Sequence, residues 1–127
     1  MNPLNYASLE ASKRLADAGI VLLNAEHWWW KRHANDEWFV DLFPKVDCIV
    51  KDDRLPAPSM AEVWRELPEE IDNYYLVITA DQGITRAEYR NTIWQLMEGC
   101  PFESINSTDA LIDLLIWAKQ HNQRSGE

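Results

Sequence analysis

Five side chains of this 127-residue chain could bind a soft metal or form a nucleophile and base pair: His27, His33, Cys48, Cys100 and His121. Zinc sites draw their ligands from short fixed spacings, and neither a Cys-x-x-Cys nor a His-x-x-x-His pair occurs, so no metal is expected. A cysteine nucleophile needs a neighbouring base or a helix start to lower its pKa. Cys100 lies between Gly99 and Pro101, a loop setting that permits exposure, but nothing in the sequence identifies a base for it. Glu66, Glu69, Glu70 and Asp72 could hold a hard cation or share acid and base roles. Pro68 interrupts them and their spacing fits no calcium loop, so they read as a solvated helix end. No GxSxG, Walker or dinucleotide motif occurs, and only four Gly are present, too few for a phosphate-cradling loop. No catalytic residue and no cofactor are expected, and the chain reads as a protein that is not an enzyme.

The stronger signal is aromatic. Seven Trp occur, three of them as Trp28-Trp29-Trp30 between His27 and Lys31-Arg32-His33. Successive strand side chains alternate faces, so Trp28 and Trp30 share one side with Leu22, Asn24 and Glu26, and Trp29 shares the other with Val21, Leu23 and His27. Val21 and Leu23 assign the Trp29 side to the core. Trp28 and Trp30 are then the expected surface platform, joined across a hairpin by Trp38 or Phe39. Indoles combine large area, few torsions and a polar tip, which suits anchors at interfaces and stacking on sugars, bases or cations. Packing of all three beneath a helix, or in a dimer seam, is the competing structural reading. The expected interaction surface comprises Trp28, Trp30, Trp38 and Trp117.

These residues need elements to hold them. Ser8 precedes an apolar stripe of Leu9, Ala11, Leu15, Ala16 and Ala18 that Gly19 can close, which predicts a helix over 8–18. Residues 20–31 predict a strand, 33–36 a turn and 37–43 a second strand, with 46–50 a continuation beyond Pro44. Asp52 to Pro58 reads as a stiff polar connection. Ser59 and Glu62 form a capping box for a helix over 59–67, ended by Pro68. A second hairpin is predicted from 74–79 and 85–90 around Asp81-Gln82-Gly83, and a fifth strand over 92–97. Cap formers at 106–109 open a final helix whose nine central residues, 110–118, hold one polar side chain, Asp113, so it is either sandwiched or in contact with a partner. The order α-β-β-α-β-β-β-α gives one α+β domain over 1–127, an antiparallel sheet with helices packed mainly on one face.

Twelve basic against twenty-one acidic residues leave a net charge of −9, which opposes general nucleic-acid binding and attraction to anionic membranes. No apolar run reaches the length of a signal-peptide core or a membrane span, and two isolated cysteines suit reduced thiols, so a cytoplasmic protein is expected.

Three segments carry a likeness: Leu15-Ala16-Asp17-Ala18-Gly19-Ile20, the run Pro56-Ala57-Pro58-Ser59-Met60-Ala61-Glu62-Val63-Trp64-Arg65-Glu66-Leu67-Pro68, and Asp109 to Trp117. With these the chain resembles a group of small uncharacterised bacterial proteins, many carried by phages or prophages. The resemblance implies a bacterial or phage accessory protein and transfers no functional residue. The expected function is binding to a protein partner or self-association as a homo-oligomer. The alternatives are a small-ligand site or enzyme built on Trp28 and Trp30, with Glu26 or His27 as polar neighbours, and an acidic inhibitor of a nucleic-acid-binding protein.

Overall fold

The computed structural model describes residues 6–20, 22, 25–31, 37–42 and 54–125. Helix α1 (Leu9–Asp17) starts where the Ser8 hydroxyl accepts the Ala11 N–H, and Gly19, at φ +80°, closes it. Helix α2 (Met60–Glu66) carries both halves of its capping box: the Ser59 hydroxyl accepts the Glu62 N–H, and the Glu62 carboxylate accepts the Ser59 N–H at 2.7 Å. Its chain turns extended at Leu67, before Pro68, as the proline requires. Helix α3 (Ser107–Ser125) opens on Asn106, whose carboxamide oxygen accepts the Asp109 N–H.

Among the described residues the strands form two antiparallel sheets. β1 (His27–Trp30) lies between β2 (Phe39–Leu42) and β3 (Arg54–Pro56), with Trp29 opposite both Val40 and Leu55. β4 (Glu70–Ile71), β5 (Tyr74–Asp81), β6 (Ile84–Arg90) and β7 (Phe102–Ser104) follow one another across the second sheet. Its first two connections are two-residue turns, Asp72-Asn73 and Gln82-Gly83, with positive φ at all four residues, the backbone that matches strand twist.

The α+β class and the order of elements hold, with β3 and β4 as short additions. The expected single sheet is two. The first strand starts only at His27, because the Ala25 N–H bonds the Leu22 carbonyl in a turn. β3 lies in the supposed stiff connection, where Leu55 faces Trp29 and Pro56 is tolerated at an edge. The predicted turn at 33–36 and the strand at 46–50 lie outside the described residues. Over 92–97 there is a turn instead of a strand, and β7 takes the place beside β6.

α3 is the centre of the core. Ala110, Leu111, Ile112, Leu114, Leu115 and Ala118 are buried against Ala11 and Leu15 of α1, Val63 of α2, and Ala87 and Tyr89 of β6. The middle of the helix, residues 110–118, is enclosed by α1, α2 and β6, which accounts for its apolar character by sandwiching. The one charge within that stretch, Asp113, pairs with Arg14 at 3.0 Å. The N-terminal segment is tied to the start of α3: Asp109 accepts the Ser8 N–H at 2.9 Å, and the Asn106 amide donates to the Tyr6 carbonyl. No described helix is long and apolar enough to cross a membrane.

Candidate functional site

The tryptophan platform is corrected. Trp28 is 1% exposed and donates its indole N–H to the Ala25 carbonyl, so it is core and not surface. Trp29, expected to be core, is half-buried; its N–H donates to the Ala7 carbonyl at 2.9 Å, and Tyr6 meets it edge-on while stacking on His27. Both faces of β1 are covered: Trp28 is core on one, and on the other Leu55, directly opposite Trp29, is buried as well. β1 starts only at His27, so its parity does not extend back to Val21 and Leu23, which lie outside the described residues. Trp30 is half-buried. Trp38 is half-buried with the Lys13 and Lys31 ammonium groups 5.5 and 5.0 Å from its ring. Trp117 packs on the other sheet, half-buried between Tyr89 and His121. The expected four-residue surface therefore lacks its first member and is divided between two sheets.

The polar candidates are likewise dispersed. His121 stacks on Trp117 and bonds Asp72 at 3.1 Å, whereas His27 lies against Tyr6. His33 and Cys48 lie outside the described residues. Burial pushes the Cys100 thiol above its usual range, the Glu88 carboxylate adds to this, and a hydrogen bond with the Tyr89 backbone opposes it. A thiol so held is protonated at neutral pH and a weak nucleophile. Among the described residues no three His, Cys, Asp or Glu side chains gather closely enough to hold a metal ion.

The most distinctive site is the turn after β6, where a strand is expected from the sequence. Asn91 builds it. Its carboxamide oxygen accepts the N–H groups of Ile93 (3.2 Å) and Gln95 (2.8 Å), its amide donates to the Gln95 side chain (3.0 Å), and its carbonyl accepts the Trp94 N–H (3.0 Å). Arg90 braces the far side, donating to the Trp94 carbonyl at 2.7 Å with its guanidinium 5.3 Å from the indole centroid. Trp94 has φ +65°, a left-handed backbone that costs a non-glycine residue about 1–2 kcal/mol. Ile93 and Trp94 project from this frame, 71% and 62% exposed.

Behind the turn, the Glu88 carboxylate is 2% exposed on the outer face of the sheet, ion-paired with Arg90 on one side and with Arg86 at 2.6 Å on the other. The row fixes the Arg90 side chain that fixes the turn. Asn91 was the available signal: Asn bonds its own following backbone and so favours a turn over a strand.

Two concavities accompany the turn. A shallow groove of about 500 Å³ beside α2 is lined by Met60, Ala61, Trp64 and Arg65. A cleft of about 300 Å³ lies between the end of α2 and α3, with Leu115, Ala118 and Lys119 on the α3 side. Neither gathers converging polar groups of the kind that fix a small ligand. Family models, curated proteins and solved structures contain no match to this chain.

Proposed function

We propose that the chain is a non-catalytic interaction protein that seats Ile93 and Trp94 in an apolar recess of a protein partner. The resemblance to prophage-carried proteins suggests the cytoplasm of a bacterium as the setting. The observation that carries the reading is Trp94: a large apolar side chain held in solvent on a strained backbone, in a turn fixed by hydrogen bonds of Asn91 and Arg90 and by one cation–π contact of Arg90. Strain of this kind persists where the surroundings over-determine it, and it concentrates at sites of recognition. A pre-ordered turn binds without the entropy cost of ordering a loop, and Trp beside Arg is the composition of interface hot spots. The turn protrudes, which suits insertion into a partner better than enclosure of a small molecule.

Affinity capture from the encoding cell with the wild-type chain, W94S and I93S tests this. A stoichiometric partner should be recovered by the wild type, and its affinity for purified W94S should fall at least about 30-fold, the loss of one hot-spot side chain. Equal affinity for W94S and the wild type would refute the reading.

A further inference from the structure

From the open edge of β5 we infer a second interaction surface, which pairs this chain with a second copy of itself. β4 covers only Tyr74 and Tyr75, and the Leu76 N–H is taken by the Glu69 carbonyl. No described strand pairs with residues 77–81 on that side. The two-residue turn at Gln82-Gly83 makes Asp81 and Ile84 a hydrogen-bonded pair, so Asp81, Thr79 and Val77 direct their backbone groups toward β6. Ile78 and Ala80 therefore direct their N–H and C=O groups outward. The edge carries no Lys, no Pro and no bulge, the usual guards against strand addition, and Thr79, Ala80 and Asp81 are exposed.

A second copy fits this edge better than an arbitrary strand. Antiparallel pairing about a two-fold axis through Thr79 sets Ile78 against Ala80 of the other copy and makes four backbone hydrogen bonds. It places Thr79 opposite Thr79, a favourable cross-strand pair, and Val77 opposite Asp81, so no like charges meet. The open stretch is five residues, bounded by β4 at one end and the β5–β6 turn at the other. The symmetric register fills that length in both copies, joins two four-stranded sheets into one of eight, and leaves no free edge at the seam.

Sedimentation of the full chain up to about 200 µM should show a reversible dimer with a micromolar Kd, strengthened by salt because each copy carries −9. T79E gains an Arg86 neighbour within its own chain but opposes two carboxylates at the axis; A80P removes one outward N–H and spares the β6 ladder. Each should weaken the dimer at least tenfold, while W94S should leave it unchanged. T79C should form an intermolecular disulfide at position 79 on mild oxidation, because directly opposed non-hydrogen-bonded residues stand about 4.5 Å apart. A strictly monomeric wild type overturns the inference. So does a dimer that T79E weakens no more than W94S does, or one in which T79C does not cross-link. T79E and T79C decide the matter even if A80P fails to fold.

Discussion

Trp94 and Gly99 occupy left-handed backbone for opposite reasons, and substitution separates them. Gly99, at φ +100°, lies directly against the Trp117 indole, and a β-carbon there would overlap it. G99A combines the left-handed penalty with overpacking, and unfolding in urea should show a loss of about 3 kcal/mol. At Trp94 no packing demands the indole. W94N keeps a residue that tolerates this conformation and gives up only an exposed cation–π contact, so its stability should stay within about 0.5 kcal/mol of the wild type. A loss above about 1.5 kcal/mol in W94N would make the indole structural instead. Both residues show where local pattern stops informing. In the tryptophan triplet both faces are covered, and part of the cover over Trp29 comes from Tyr6 and Ala7, folding across it from about twenty residues earlier. No period within residues 20–31 encodes that event.

Helix ends were the most legible elements, because a cap is a contract between neighbours in sequence. Ser8, Ser59 with Glu62, Gly19 and Pro68 all act at the positions their chemistry specifies. S59A should destabilise the protein by about 1 kcal/mol through loss of the capping box. Asn106 does more than a cap, since it also holds the Tyr6 carbonyl. N106A should therefore cost about 2 kcal/mol and raise hydrogen exchange in α1 as well as in the first turn of α3, which a pure cap would not do. Strands were legible where the hairpin is local, as in β5 and β6, and illegible where pairing is distant. β3 is three residues long and exists only because β1 presents an edge to it. The Asn91 turn was missed for a related reason: apolar Ile93, Trp94 and Leu96 resemble strand positions unless the Asn91 side chain is given the backbone bonds.

For the whole molecule, the buried acids set an alkaline limit. Burial raises the Tyr89 phenol above its ordinary value of about 10, so the folded chain keeps a proton that the unfolded chain releases there. Stability is intact below that pH and is lost as pH rises above it. Cys100 acts in the same direction from about pH 8.5. The melting temperature should begin to fall near pH 8.5 and fall faster beyond about pH 10. C100A should remove the first decline and Y89F the second, and an unchanged profile in Y89F would place the alkaline limit elsewhere. The α+β class was readable from apolar periodicity together with caps and turns, whereas enclosure of the last helix was one of two readings that its composition left open. The division into two sheets was not, because it depends on which distant edges meet.

The same architecture imposes a schedule on synthesis. The bonds that dock the first helix, Ser8 to Asp109 and Arg14 to Asp113, join residues 101 and 99 positions apart. At about 5–20 residues per second, α1 leaves the ribosome roughly 5–20 s before its acceptor does. For that interval Ala11 and Leu15 have no α3 to cover them. The nascent chain is then most vulnerable to proteases and most in need of a chaperone, and a ribosome stalled before Asp109 would release a product whose first helix has nowhere to dock.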